Sequence, residues 1–253
     1  DMSMLELTPD FIKEFAAYLS TEAGLRNGSI WANCMWLKGV VMKAHYNGLI
    51  PRNPFIQFHI SPNVKEREYL TEDELKAVMT HEFADSKLAY IRDIFIFASF
   101  TALSFVDIQE LTNDNIVEVN GEKWILSKRH KTKVAFQVKL LDIPLQIVER
   151  YRPMQKDNRI FPGLNYWSIC KPLKRMIREC GITKSISFHC SRHGFATLAL
   201  SKGMPIESVS RVLGHTNIVT TQLYAKITTQ KLDNDLTMFG DKLSKTFNGI
   251  TMS

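Results

Sequence analysis

The sequence predicts a mainly α-helical protein with one small antiparallel β-sheet, arranged in two blocks. Three observations carry this. Apolar residues recur at helical spacing over most of the chain, with capping residues before the runs and glycines after them. Two short strand-like runs flank Asn120-Gly121, a strong signal for a tight hairpin turn. Pro51, Pro54 and Pro62 interrupt the helical period and punctuate an extended stretch over 50–65, read as the linker between the blocks.

In the first block, Thr8 and Pro9 form an N-cap and a first-turn proline for a helix through Phe11, Phe15 and Leu19. A second helix is predicted over 29–46, where Ile30, Cys34, Leu37 and Val41 make a core-facing stripe widened by Trp31, Met35 and Met42. The second block opens on Thr71-Glu72-Asp73-Glu74, a capping box ahead of Leu75, Val78 and Met79. A strongly apolar helix over 87–100 follows. Residues 116–119 and 123–126 then pair across Asn120-Gly121, and Val134, Phe136, Val138 and Leu140 alternate as a third strand. Lys128-Arg129-His130-Lys131 reads as a basic tip of that sheet. Beyond Pro144 the chain is helical again. Gly181, Gly203 and Gly214 stand at helix ends, Pro205 at a helix start, and Ile206, Val209, Val212 and Leu213 form a buried stripe.

The chain has 253 residues and a net charge of +6, with 45% hydrophobic and 23% charged residues, which is globular composition. No apolar run approaches bilayer length and no signal-peptide layout opens the chain, so a soluble, intracellular protein is expected. Cys34, Cys170, Cys180 and Cys190 form no CxxC pair, which argues against a disulfide framework or a zinc knuckle. Residues 23–61 carry Arg26, Lys38, Lys43 and Arg52 and no acid, whereas Asp1, Glu6, Asp10, Glu14 and Glu22 precede them against a lone Lys13. That stretch is either a solvated helix face or a face that lies along phosphates.

The chemistry concentrates near the C-terminus. His189 and Arg192 are three apart and share a helix face, so a forked guanidinium and an imidazole can meet one phosphate. Gly214 turns the chain and exposes His215, and Tyr224 follows nine residues later. Taken singly, these are a surface histidine, a capping histidine and a packing tyrosine. Together, His189, Arg192, His193, Phe195, Ala196 and Thr197, then Leu213-Gly214-His215, then Thr220, Thr221 and Tyr224 resemble the C-terminal signature of the tyrosine recombinase (phage integrase) family. The preceding helices resemble that family's SAM-like core-binding domain, and "REYLTEDEL" the start of its catalytic domain.

The resemblance implies a partial helical core-binding domain with linker over 1–61 and a tyrosine-recombinase catalytic domain over 62–253. It implies that Tyr224 attacks a phosphodiester to give a 3′-phosphotyrosine. Arg192 and His215 would hold the non-bridging oxygens, and His189 would accept the phenol proton or orient the phosphate. Lys131 is the best match to the family's hairpin lysine that protonates the leaving oxygen, with Lys128 and Lys133 as competitors. Arg26, Lys38, Lys43, Arg52, Lys128 and Arg129 are the DNA-contact candidates. No metal or other cofactor is implied. The implied partner is double-stranded DNA, bound by a monomer that assembles as a homotetramer at synapsis, with accessory DNA-bending proteins beside it. Leu232, Leu236, Met238 and Phe239 would dock on a neighbouring subunit or on their own core. The expected setting is the nucleoid of a bacterial cytoplasm. The chain also begins as if inside a longer helical domain, without its first helices or any arm-binding domain.

The pattern breaks once. The family's Thr-Gly-Leu-Arg-x-x-Asp segment reads Thr101-Ala102-Leu103-Ser104-Phe105-Val106-Asp107, so serine stands where an arginine belongs. Integrases of Bacteroides-type conjugative transposons resemble the chain in this respect. Arg92, about 18 Å upstream along a straight helix, is the nearest substitute, and either the chain turns back around Ser99 to Leu103 or Arg92 reaches the phosphate from another side. The rival readings are a catalytically impaired relative that only occupies DNA sites, and a type IB topoisomerase.

Overall fold

Thr8 starts the first helix as the sequence predicts, its hydroxyl accepting the Phe11 amide at 3.1 Å while Pro9 takes a position that needs no amide donor. The computed structural model describes residues 3–61, 68–130, 133–155, 157–225 and 229–246. It divides into two compact units, Asp1–Glu66 and Arg67–Ser253.

In the first unit, α1 (Pro9–Thr21) packs on α2 (Asn27–Tyr46). Ile12, Val41 and Ala44 form one small core, and Leu19, Ile30 and Cys34 another. Trp31, Met35, Leu37 and Met42 are half-buried at the margin of that stripe, while Trp36 projects from the helix with 75% of its surface exposed. The stretch read as linker is partly core. Ile50 and Phe55 are 4% and 2% exposed, and Phe55 meets Phe58 edge-on at 5.7 Å. The prolines there shape tight turns, and Asn53 caps one by accepting the Phe55 amide at 2.9 Å. Residues 62–67, including Pro62, lie outside the described residues.

In the second unit, the Thr71–Glu74 capping box forms in both directions and opens α3 (Glu72–Thr80). α4 (Ser86–Thr101) is buried on nearly every side and packs against α3, α6 (Asp142–Tyr151), α7 (Tyr166–Glu179) and α8 (Cys190–Ser201). A helix apolar around its whole circumference has to be central. Its buried charge, Asp93, is satisfied by Arg92 at 2.8 Å, Arg150 at 2.7 Å and Tyr151 at 2.8 Å.

After α4 come a short α5 (Phe105–Gln109) and a three-stranded antiparallel sheet, β1 (Ile116–Val119), β2 (Glu122–Lys128) and β3 (Ala135–Lys139), in the order β1-β2-β3. Val119 pairs with Glu122, so Asn120 and Gly121 are the two turn residues, both at positive φ (53° and 78°). Ile125, Phe136 and Val138 face the core. The chain closes with α9 (Ile206–Leu213), α10 (Val219–Gln222) and α11 (Thr229–Thr246). Leu232, Leu236, Met238 and Phe239 on α11 are exposed, so these side chains are not buried in their own core. Among the described residues no helix is long and apolar enough to cross a membrane.

Phe97 is fully buried on α4 and meets Phe161 edge-on at 5.0 Å. Phe97→Ala is expected to cost about 3–5 kcal/mol in denaturant unfolding. A loss below about 1 kcal/mol would mean that α4 is not the centre of the core.

Candidate active site

Four segments converge on the guanidinium of Arg192: the start of α8, the end of α4, the end of α9, and the β2–β3 hairpin. His189 immediately precedes α8 and is exposed, and Arg192 lies one turn on. Arg192 Nη1 donates to the Ala102 carbonyl at 2.7 Å, and Nη2 donates to the Leu213 carbonyl. Both acceptors belong to helix C-termini, where carbonyls lack partners within the helix. Ala102 holds a left-handed conformation, φ 56°, and thereby ends α4. Burial, with Arg129 nearby, pulls the Arg192 pKa down to about 10, which leaves it charged at neutral pH.

Arg129 corrects one expectation. It is not a solvated residue at a basic tip but is 6% exposed and points inward. Its Nη1 donates to Asp107 at 2.7 Å, its Nη2 to the Val212 carbonyl at 2.5 Å, and its guanidinium lies over the Phe136 ring at 4.1 Å. Its Nε is buried with no hydrogen-bond acceptor, alone in this among the described side-chain atoms. Burial lowers the Arg129 pKa and Asp107 partly offsets it. For Asp107, burial pushes the carboxyl up, but donors from the His130 amide, Arg129 and Ser104 outweigh it and hold the group below its ordinary range. Ser104, at the position of the absent arginine, caps α5 and donates its hydroxyl to Asp107 at 2.7 Å.

Gly214 ends α9 at φ 63°, and a Cβ there would stand 2.9 Å from Arg129 Nε. Its lack of a side chain therefore admits both the turn and the arginine. The turn places His215, whose Nδ1 lies 2.9 Å from the hydroxyl of Thr221. Burial, then the charges of Arg192, Arg129 and His189, lower the His215 pKa to about 4, so the ring is neutral at physiological pH. Tyr224 donates its amide to the Thr221 carbonyl at 3.0 Å. Its ring lies 5.2 Å from that of His193, which in turn lies 4.6 Å from that of His189. Tyr224 also acts electrostatically on Arg192.

The structure thus brings His189, Arg192, His215 and Tyr224 together. Arg92 is not brought to them. Its Nε is held by Asp93 at 2.8 Å, its Nη1 by the His81 carbonyl at 2.9 Å, and its guanidinium packs on Phe83. Lys131 lies outside the described residues. Lys128 and Lys133 are exposed, as are Arg26, Lys43 and Arg52, and Lys38 is half-exposed. Arg129 was legible only as a DNA-contact candidate at a basic tip, and His193 and Thr221 only as positions of the signature, not as members of this cluster. The one available signal for Arg129 was Asp107, an acid in an apolar segment that needs a buried cationic partner.

The phage integrase family matches residues 68–231, and a phage integrase SAM-like domain matches residues 1–60. The tyrosine recombinase XerA of Pyrococcus horikoshii is 32% identical over 177 residues, which cover 64% of this chain and 58% of that protein. This chain therefore spans little more than half the length of that relative. The tyrosine recombinase XerC of Lactobacillus leichmannii is 25% identical over 85% of this chain and 77% of its own. Among solved structures, the Tn1549 transposon integrase in complex with circular intermediate DNA superposes with a TM-score of 0.79 at 18% identity, over 92% of this chain and 86% of that one. A lambda integrase dimer bound to a core site gives 0.70 at 18% identity, over 88% and 81%.

The pKa of His215 makes stability depend on pH. The imidazole takes up a proton near 6.5 when unfolded but only near 4 when folded. The folded state therefore loses stability as pH falls from about 6.5 toward 4, and this contribution is constant above that window. His215→Gln removes the titrating group, so the variant should gain thermal stability relative to wild type between pH 7 and 4.5. An unchanged difference in Tm across that range would show that His215 titrates normally.

Proposed function

The chain belongs to the phage integrase family, and we propose that it is a site-specific recombinase that cuts and rejoins double-stranded DNA through a 3′-phosphotyrosine at Tyr224. The observation that carries this reading is the cluster of the desolvated Arg192, the buried Arg129 and a neutral His215, with Tyr224 acting electrostatically on Arg192. A phosphodiester gains charge on its non-bridging oxygens as the fifth bond to phosphorus forms. Cations already fixed in a low-dielectric setting stabilise that state without reorganising.

Arg192 and His215 face the phosphate oxygens in this reading. Arg129 supplies the positive charge that Ser104 does not, from the hairpin rather than from the start of α5. The Tyr224 hydroxyl attacks phosphorus, and the O5′ bond breaks. His189 takes the phenol proton or orients the phosphate, and Lys131 protonates the departing 5′-oxygen. The phosphotyrosine keeps the energy of the phosphodiester, so religation is the same exchange run backward and needs no nucleotide or metal.

Cations without an ion-pair partner among the described residues support a polyanionic ligand. They include Arg26, Lys43 and Arg52 in the first unit and Lys128, Lys171 and Arg178 in the second. The Xer relatives and the DNA-bound integrase neighbours favour recombination. Tetramer assembly at synapsis, with α11 laid on a neighbouring subunit and accessory bending proteins on the DNA, belongs to the same proposal.

Nicked suicide duplex carrying a site the protein retards in a gel shift is the direct assay. Wild type should form a covalent complex that survives denaturation, and Tyr224→Phe should form none. Tyr224→Phe retaining the complex would refute the assignment of the nucleophile.

Arg129→Lys keeps a charge but loses the fork to Asp107 and Val212, and should slow cleavage by about 10²-fold with DNA binding retained. Arg92→Ala should weaken folding and leave the cleavage rate within a few-fold. The opposite ranking of these two variants would return the missing charge to Arg92.

A further inference from the structure

We infer that Thr221 is a positioning residue for cleavage, its buried hydroxyl fixing His215 as the Nε2–H tautomer while its carbonyl ties Tyr224 to the same turn. The inference rests on the reading of His215 and Tyr224 given above and assigns the group that orients them.

Thr221 lies on α10 with 0% of its surface exposed. A hydroxyl removed from water has to place its proton on an acceptor. The contact made by Thr221 Oγ1 is the 2.9 Å approach to His215 Nδ1. Two arrangements are open in principle. If Nδ1–H donated to Oγ1, the hydroxyl proton would be buried without an acceptor. If Oγ1–H donates to the Nδ1 lone pair, both groups are satisfied. Among the described residues no acceptor other than His215 Nδ1 is in contact with Thr221 Oγ1, so the second arrangement is the one that satisfies the hydroxyl proton.

That direction decides what His215 can do. The ring sits among Arg192, Arg129 and His189, and burial together with their charge keeps it neutral, with one ring proton to place. With Nδ1 occupied by the threonine, the proton is on Nε2. Nε2–H then donates to a phosphate oxygen as negative charge grows. The other tautomer would present a lone pair to that oxygen and repel it. The Thr221 carbonyl accepts the Tyr224 amide at 3.0 Å, so the donor to the phosphate and the nucleophile are placed by one residue.

The test separates a hydroxyl effect from a packing effect. Thr221→Val keeps the shape and removes the hydroxyl, and Thr221→Ser keeps the hydroxyl. The full chain is labelled with 15N-histidine, and the tautomer of His215 is read from long-range proton–nitrogen correlations, assigned by loss of the signal in His215→Gln. Wild type and Thr221→Ser should show Nε2–H, and Thr221→Val a mixture or Nδ1–H.

In single-turnover cleavage of the suicide duplex, Thr221→Val should be slowed about 10²-fold at unchanged DNA affinity. Thr221→Ser should stay within about threefold of wild type. Wild-type His215 protonated on Nδ1, or Thr221→Val cleaving at the wild-type rate, would overturn the inference. Wild type giving no covalent complex would instead overturn the recombinase reading, because the tautomer is read in the free protein.

Discussion

The second unit is organised around two desolvated guanidinium groups, with Arg129 close enough to Arg192 to lower its affinity for protons. Arg192 and Arg129 repel, and each carries a large desolvation cost. Neither could remain charged in the interior without acceptors already in place. Those acceptors are Asp107 and the carbonyls of Ala102, Leu213 and Val212. Three of the four are backbone groups in the last turn of α9 or just past the end of α4, where a helix has carbonyls to spare. The interior tolerates the charge because the fold ends two helices at the place where it is needed.

Several local features follow from that requirement. α4 has to stop at Thr101 so that the Ala102 carbonyl turns toward Arg192, and it stops through a left-handed residue that is not glycine. Such a conformation costs an alanine roughly 1–2 kcal/mol, and the hydrogen bond from Arg192 is what holds it. α9 has to stop at Leu213 for the same reason. Gly214 turns the chain there, and its missing Cβ leaves the space that the Arg129 side chain fills. The turn then sets His215 and, through Thr221, Tyr224. The geometry around Tyr224 is thus an outcome of satisfying buried positive charge.

The helices, the hairpin and the four motif residues were legible because each obeys a short-range rule. The Thr71–Glu74 box, the Thr8 cap, the Asn120-Gly121 turn and the spacing from His189 to Tyr224 are all local patterns, and each forms as read. What could not be read is where side chains go when their partners are distant in sequence. Arg129 sits among Lys128 and His130 and looks solvated, and its acid is 22 residues earlier. Arg92 looked available because its partners, the neighbouring Asp93, the His81 carbonyl and the Phe83 ring, depend on the tertiary packing of α4. Ile50 and Phe55 looked like linker because proline suggests an extended chain, yet their side chains close a core. Thr221 belongs to a local pattern, but its burial and its contact with His215 depend on the packing of α10 and are not visible in that pattern.

Ser104 then has a different meaning from a lost arginine. Its hydroxyl and amide both bind Asp107, which is also held by the His130 amide and by Arg129. A carboxylate with four donors cannot swing, so the guanidinium it pairs with is aimed as well as neutralised. An arginine at 104 would remove one of those donors from Asp107 and bring a third guanidinium toward Arg129 and Arg192. The serine and Arg129 are therefore two halves of one arrangement. In the proposed mechanism charge comes from the hairpin because the start of α5 is used to fix where the hairpin's arginine points.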